Sequence, residues 1–182
     1  MIQPVYLYGQ GVLREKAAEA DLTDKEGLAA LVQDLKDTLK KADGCGLAAP
    51  QIGVSKRVLI VTGEGLTDTY PYLEGFFRTM INPVVLETGG GICTYNEGCL
   101  SVPGIYGDVA RPAWMRIRYY DENLKEVEET LDKFACRMVQ HELDHLDGIV
   151  FVDRLSPIRR KMVAKKLLGI TRGKASTSYK TK

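Results

Sequence analysis

Both histidines of this 182-residue chain lie in one short segment, residues 140–145 (QHELDH). Residues four apart share one face of an α-helix, so His141 and His145 can bind a single metal ion. Glu142, which lies between them, is placed to take a proton from a water molecule at that ion. The segment is therefore typical of a metal-dependent hydrolase, although two surface histidines on a polar helix would show the same spacing.

A third ligand must come from Cys, Asp or Glu, because a catalytic metal site usually combines three protein ligands with one open position. Cys99 is the strongest candidate, since it lies in a short segment bounded by glycine and proline that could approach the helix closely. A thiolate and two neutral imidazoles form a suitable mixed ligand set. Cys136 precedes His141 by five residues, about 140° around the helix, so it points largely away. Cys45 and Cys93 are better interpreted as small buried apolar residues.

A second candidate segment, residues 44–53, combines small residues with one uncharged amide. Its glycines and alanines allow another backbone to approach closely, and Gln51 offers a hydrogen-bond donor. The segment lacks the Lys-Ser/Thr ending of a phosphate-binding loop. Taken alone, it is equally consistent with an ordinary turn.

Helices and short strands must hold these residues together, and the hydrophobic pattern predicts where they lie. Residues 23–26 are typical of a capping box that opens a helix ending near Gly44, and residues 132–146 form the helix of the metal motif. Strands are expected at residues 57–61, 80–86, 115–120 and 126–131, with a hairpin turn at 121–123 and a long loop at 63–78. We predict one α+β domain, with short antiparallel or mixed β-sheets around a central metal-binding helix.

The C-terminal part of the chain is basic. Nine of the 25 Lys and Arg residues, and none of the 24 Asp and Glu residues, lie from Arg159 onward. Residues 156–170 are predicted to form a basic amphipathic helix with one apolar side, made of Ile158, Met162, Val163 and Leu167. This helix could contact an anionic partner such as ribosomal RNA, or it could pack on its own domain with its charges in water. We expect a catalytic domain at residues 1–170 and a flexible basic tail at residues 171–182.

Composition narrows the setting in which the protein works. Apolar residues make up 45% of the chain and charged residues 27%, which is ordinary for a globular domain. No run of 18 apolar residues predicts a membrane span, and the N-terminus shows no secretory signal pattern. The four cysteines form no CxxC pair, which favours a reduced, cytoplasmic setting.

Together, these segments resemble the signature motifs of peptide deformylases, the metal hydrolases that remove the formyl group from N-terminal formylmethionine. The motifs are matched by residues 44–51, 97–101 and 141–145, in the family's order and with comparable spacing. The resemblance implies a bacterial-type, cytoplasmic enzyme that acts on formylmethionyl nascent peptides and releases formate, with no membrane or DNA partner. It also implies one divalent metal ion, usually Fe²⁺, which Zn²⁺, Ni²⁺ or Co²⁺ can replace.

The resemblance also assigns roles to individual residues. It implies that the metal is bound by Cys99, His141 and His145. It implies that Glu142 is the catalytic acid/base, and that the Gln51 amide and the Leu100 backbone N–H stabilise the oxyanion. Gly46 would present main-chain groups to an extended substrate.

Four further residues are predicted to belong to the substrate site. Phe134 and Met138 precede the first histidine at helical spacing and share its side of the helix, so they are either the wall of a methionine pocket or plain core residues. Cys45 stands in the pocket wall where the family usually has a branched aliphatic residue. Glu97 belongs to the second motif, where pairing with Arg111 would hold the strand of the thiol ligand.

Three other functions remain open from the sequence. A zinc metallopeptidase that cuts internal peptide bonds often has a downstream Glu as third ligand, but no acidic residue follows Asp153. A structural metal site without turnover would need a closed set of four ligands, including a second cysteine. An inactive homologue could bind nascent chains or ribosomes through the basic tail, although Glu142 and Gln51 argue against it.

Overall fold

A five-stranded antiparallel sheet forms the centre of the protein, with its strands in chain order. The computed structural model describes residues Met1–Lys182. The strands are β1 Gly46–Ala48, β2 Val58–Thr62, β3 Phe77–Cys99, β4 Val102–Tyr120 and β5 Glu126–Asp132, and the helices are α1 Lys25–Ala42, α2 Lys133–Leu146 and α3 Pro157–Thr171. The predicted α+β class is confirmed, and α2 is the helix of the metal motif.

Strands β3 and β4 form one long, irregular hairpin, and β3 ends at Cys99. The sequence predicted only residues 80–86 and 115–120 of these strands. The remainder was missed because register shifts interrupt the alternation of buried and exposed side chains. One shift falls near Gly89, where a Cβ would lie 2.7 Å from the Trp114 ring. The Gly89 backbone packs closely against the Trp114 ring, and this contact between β3 and β4 cannot be read from the residue pattern of either strand alone.

Helix α2 follows β5 directly and packs its apolar side chains on the sheet. Met138, Val139, Leu143 and Leu146 share one core cluster with residues of β2, β3 and β4. Each such buried side chain contributes about 1.5–3 kcal/mol to stability. The predicted range of 132–146 is confirmed, with Asp132 as the N-cap residue.

Helix α1 and helix α2 cover opposite faces of β1 and β2. Leu47 and Ile60 pack in the cluster that contains the apolar side chains of α1, whereas Leu59 and Val61 pack in the cluster of α2. This division follows from the alternation of side chains along a strand. The small strand β1 is thereby fixed from both sides.

The ends of α1 differ from the prediction by one residue each. Asp24, not Thr23, caps the N-terminus, because its carboxylate accepts the N–H of Gly27 at 3.0 Å. At the other end Asp43, not Gly44, has the left-handed conformation, with φ of 55°. Asp tolerates this conformation better than most residues, which explains the earlier stop.

The predicted apolar side of the C-terminal helix is wrong in part. Val163 and Leu167 pack against the domain, together with Ile170. Ile158 and Met162 are instead 76% and 67% exposed. The buried side chains of α3 follow one another at spacings of four and three residues, starting at Val163. Ile158 and Met162 lie off this face of the helix and are therefore exposed to solvent.

Residues 171–182 make specific contacts with the N-terminal segment. Val5 donates its N–H to the carbonyl of Lys180 and accepts the N–H of Lys182, both at 2.9 Å. Leu7 donates to the carbonyl of Lys182 at the same distance. No helix of the protein has both the length and the apolar character that crossing a membrane requires.

Candidate active site

Three side chains with metal-binding atoms meet between α2 and the end of β3. The ligand atoms of Cys99, His141 and His145 all lie within 4.8 Å of one another. The Cys99 sulfur is 3.3 Å from Nε2 of His145. Cys136, also on α2, lies outside this group and accepts a hydrogen bond from Gln140. The structure therefore brings together the three residues predicted as ligands, and no other group of this kind occurs in the protein.

Glu97 holds the imidazole of His141 in place. Its carboxylate contacts Nδ1 of His141 at 2.8 Å, which leaves Nε2 as the nitrogen available to a metal. The same carboxylate accepts two hydrogen bonds from Arg111, at 2.8 and 3.0 Å, and one from Arg137 at 2.7 Å. The predicted pairing of Glu97 with Arg111 is present. Because both carboxylate oxygens are bound to protein side chains, Glu97 acts on the site through His141.

The pair of Glu97 and Arg111 is part of a larger cluster, which is buried except for Arg154. Arg111 also donates to Asp144 at 2.8 Å, and Asp144 accepts two hydrogen bonds from Arg154 at 2.6 and 2.7 Å. We call Glu97, Arg111, Arg137, Asp144 and Arg154 the carboxylate–arginine network. Every buried carboxylate in it has a charged partner, which is the condition under which buried charges are tolerated.

The surroundings of the histidines favour one positive charge at the site. Burial and the neighbouring His141 lower the pKa of His145 well below its usual value, so His145 is neutral, the form that binds metals. Burial also acts to lower the pKa of His141, but hydrogen bonds with Cys99 and Glu97 outweigh it and raise that pKa. The Cys99 thiol and the Glu97 carboxylate thus favour a positive charge on His141.

Glu142 is buried against β1 beside the predicted metal ligands. Its Oε2 has no hydrogen-bond partner, although the residue is only 4% exposed. Burial raises the pKa of this carboxyl to about 7. Gly46 makes room for it, because a Cβ at that position would lie 2.5 Å from Oε1 of Glu142. An unpartnered buried carboxylate oxygen is unusual in a folded protein, and it leaves this oxygen available to a water molecule or a substrate.

Gln51 and Leu100 lie next to the thiol ligand. The Gln51 side chain accepts the N–H of Ala48 at 2.8 Å, and this contact orients its amide nitrogen. That nitrogen is 3.1 Å from the hydroxyl of Ser101 and 3.5 Å from the sulfur of Cys99. Leu100 follows Cys99 directly in the turn between β3 and β4. The Gln51 amide therefore lies beside the Cys99 thiol, and Leu100 adjoins Cys99 in the chain.

One cavity of about 640 Å³ opens onto these residues. It is lined by the predicted substrate-site residues, Cys45, Gly46, Glu97, Phe134 and Met138. Burial raises the pKa of Cys45 to about 11, so its thiol remains protonated. The loop predicted at residues 63–78 extends to Phe76 and adds Leu66 to the wall. Tyr70 of this loop stacks on Phe134 with ring centroids 4.4 Å apart.

Three residues of the site were not predicted from the sequence. Arg137 and Asp144 lie on α2, four residues before and three residues after His141, so helical spacing places them on the face of His141. Charged residues on a buried helix face are a signal that could have been used. Tyr179, which lines the cavity from the C-terminal segment, has no local signal.

The donor set and its surroundings fit a divalent transition metal. Two imidazoles and a thiolate are ligands that Zn²⁺ and Fe²⁺ accept, and three protein ligands leave a position open for water. The Glu142 carboxyl and the Gln51 amide line the same cavity as Cys99 and His141. The arrangement suits hydrolysis of a carbonyl group on a bound chain.

The sequence of the chain is similar to those of known proteins that all belong to one family. The sequence profile of the polypeptide deformylase family matches residues 2–161. A peptide deformylase of Fusobacterium nucleatum is 41% identical over 171 residues, 93% of each chain. One of Cytophaga hutchinsonii is 38% identical over 182 residues, covering 100% of this chain and 97% of its own.

Solved structures agree with these sequence relatives. The crystal structure of a peptide deformylase from Legionella pneumophila is 34% identical with a TM-score of 0.82, and it covers 97% of this chain and 99% of its own. The peptide deformylase of Thermus thermophilus is 34% identical with a TM-score of 0.83, covering 96% of this chain and 100% of its own.

Proposed function

The chain belongs to the peptide deformylase family, hydrolases that remove the N-formyl group from newly made proteins, and we propose that its catalytic centre is formed by Cys99, His141, His145 and Glu142. It acts on formylmethionyl nascent peptides. One observation carries the assignment of residues. Three ligand atoms lie within 4.8 Å of one another, beside a buried carboxylate with an unpartnered oxygen.

The enzyme is metal-dependent, and Fe²⁺ is the native ion in this proposal, with Zn²⁺, Ni²⁺ or Co²⁺ as substitutes. Cys99, His141 and His145 would hold it. When bound, the ion lowers the pKa of water so that hydroxide forms near neutral pH, and it polarises the carbonyl oxygen. The ligand atoms of these three residues, which lie within 4.8 Å of one another, support a metal at this site.

Glu142 is the residue that moves the proton. Its free oxygen accepts the proton of the attacking water and then delivers it to the amine that leaves with the peptide. The carboxylate can do both because Gly46 leaves it space on one side and no side chain competes for Oε2. General acid–base catalysis of this kind typically contributes about 10²–10⁴-fold to the rate.

Gln51 and Leu100 are the donors for the formyl oxygen, which gains negative charge during the attack. The Gln51 amide is oriented by the backbone of Ala48 and lies near the thiol ligand, and the Leu100 N–H lies in the adjoining turn. Loss of one such donor typically costs about 3–4 kcal/mol of transition-state stabilisation.

The substrate enters as an extended chain along β1. This strand lies at the edge of the sheet and pairs only with β2. The Ala48 N–H is bound to Gln51, so Gly46 is the residue that would offer backbone groups to a peptide. Phe134, Met138 and Cys45 provide the apolar wall for the methionine side chain. A formyl group carries only hydrogen where other acyl groups carry carbon, so a tight site selects it by size.

The basic C-terminal helix supplies a further contact, with the ribosome, and the protein works in the cytoplasm of a bacterial-type cell. Arg160, Lys161 and Lys165 of α3 are accessible to an anionic surface. The four free cysteines are consistent with a reducing compartment.

The decisive experiment compares formyl-Met, acetyl-Met and free-amine versions of one peptide, on anaerobically purified protein with its metal content measured. Formate release from the formyl peptide alone is expected. Cleavage of internal bonds would indicate a metallopeptidase, and no turnover with a full metal complement would indicate a binding module. Glu142→Ala should retain the metal and lose turnover.

A separate experiment tests the choice of metal. Fe²⁺ and the thiolate are both oxidisable, so iron-loaded enzyme should lose activity in air or peroxide faster than nickel-loaded enzyme. Equal rates of decay for the two preparations would contradict the proposal for iron.

A further inference from the structure

The C-terminal segment is attached to the N-terminal segment of the domain and runs beside the substrate cavity. We call residues 176–182 the C-terminal strap. Its last three residues pair in parallel with the N-terminal segment, through three backbone hydrogen bonds of 2.9 Å to Val5 and Leu7. Val5 is fully buried and Leu7 nearly so, which makes this an anchored attachment.

Ahead of this anchor, the strap forms part of the wall of the substrate cavity. Ser176, Thr177, Ser178 and Tyr179 line the same cavity as His141 and Glu142. The Thr177 hydroxyl donates to the carbonyl of Tyr179 at 2.7 Å, which stiffens this stretch. The strap therefore adds hydroxyl groups and a phenol ring to a cavity whose remaining walls come from the folded domain.

Tyr179 makes the closest contact between the strap and the catalytic residues. Its hydroxyl donates to the carbonyl of Leu100 at 2.7 Å. The next carbonyl, that of Ser101, accepts the N–H of Tyr8 at 2.8 Å. Tyr8 follows the N-terminal segment that pairs with the strap, so the two termini together hold the turn that follows the thiol ligand Cys99.

We propose that the C-terminal strap is a functional wall of the substrate cleft, in which Tyr179 is a positioning residue for Leu100 and residues 176–178 contact the peptide beyond its methionine. The proposal rests on the proposed function. Tyr179 fixes the orientation of the Leu100–Ser101 peptide and thereby of the turn that carries the Leu100 N–H. Ser176 and Ser178 are exposed residues that line the cavity, so their hydroxyls are available to a longer peptide.

The first test removes one hydroxyl group. Tyr179→Phe should lower kcat about five-fold with little change in KM, as expected for the loss of one neutral hydrogen bond. It should also speed amide hydrogen exchange in residues 98–102, a readout that does not depend on turnover. Tyr119→Phe is the matched control, because the Tyr119 hydroxyl makes a bond of the same 2.7 Å length, to Glu129, and does not line the cavity. Equal effects of both variants would overturn the positioning role.

The second test uses substrates of two lengths, formyl-Met-amide and formyl-Met-Ala-Ala-Ala. Removal of residues 176–182 should raise KM for the longer substrate about ten-fold and change KM for the shorter one much less. Ser178→Trp, at an exposed position that tolerates a large side chain, should show the same selectivity with the anchor intact.

Three outcomes separate the explanations. Unchanged constants for both substrates would mean that the strap is no part of the cleft. A higher kcat/KM after truncation would mean that the strap obstructs the cleft, and it would overturn the proposal. Absence of formate release by the metal-loaded wild-type enzyme would refute the proposed function, whereas the hydrogen-exchange comparison would still decide the role of Tyr179.

Discussion

Replacing Gly46 with alanine should displace the Glu142 carboxylate without removing it. A Cβ at position 46 would lie 2.5 Å from Oε1 of Glu142, 2.9 Å from Cδ and 3.0 Å from Cγ. Ordinary contacts begin at 3.4 Å, so the carboxylate oxygen must retreat by roughly 0.9 Å. Gly46 has no positive φ, so the backbone itself accepts alanine.

The displacement should affect catalysis far more than stability. The atom in conflict is the end of a flexible side chain, and Oε2 has no bond that must be broken when it moves. A misplacement of about 1 Å typically costs about 10²-fold in rate. We therefore expect kcat to fall about 10²-fold, with metal content unchanged and the unfolding midpoint nearly so. Gly11→Ala is the control, since a Cβ there meets nothing within 4 Å.

A double-mutant cycle distinguishes this explanation from a direct clash with substrate. Formate release is measured for the wild type, for Gly46→Ala, for Glu142→Ala and for the double variant. If Gly46 acts through Glu142, alanine at position 46 adds little loss of kcat once the carboxylate is gone. Additive losses of kcat, or a rise in KM alone, would refute the reasoning.

Three further predictions concern the metal and the stability of the fold. Cys99→Ser should lose metal to a chelator faster than Cys136→Ser, and equal metal contents would point to another ligand. Arg111→Ala leaves two buried carboxylates short of a partner and should lower the free energy of unfolding, measured in urea, by about 3–5 kcal/mol. Arg111→Lys should recover only part of this stability. A loss below about 1 kcal/mol for the alanine variant would contradict this account of the network. Burial acts to raise the pKa of Asp153, but hydrogen bonds, including those from Arg14, outweigh it and hold that pKa below its usual value. The Asp153 carboxylate therefore stabilises the fold above about pH 4, and this stabilisation is lost on acidification. Asp153→Asn should therefore reduce the loss of unfolding free energy between neutral and acidic pH. An unchanged loss on acidification would refute the role of Asp153 in the acid sensitivity of the fold.

The fold was predictable where its pattern is local. Helix α2 was predicted almost to the residue because its apolar spacing and its sharp end at residues 147–148 are sequence features. The long β3–β4 hairpin was not, because its register shifts depend on contacts such as that of Gly89 with Trp114. Likewise, the exposure of Ile158 depends on how α3 meets the domain, which its own periodicity does not contain.

The candidate site, like the fold, was predictable only where its residues are close together in the sequence. The spacing of His141 and His145 determined two candidate ligands, because four residues make about one helical turn whatever surrounds the helix. The approach of Cys99 was inferred from its motif, but its 3.3 Å distance to His145 required the folded hairpin. The sequence also contained Arg137 and Asp144 at helical spacing, yet only their partners across the fold identify them as part of the site.

What the sequence alone determined was the family and the candidates for its chemistry: the types of the proposed ligands and the proposed acid/base group. What only the tertiary structure decided was which distant groups hold that chemistry in place. Glu97 of β3, held by Arg111 of β4, contacts His141. Gly46 leaves room for Glu142, and Tyr179 near the end of the chain bonds to Leu100 in the turn after Cys99. These contacts join residues far apart in the chain, and they form only when apolar burial brings the elements together, so no local pattern encodes them.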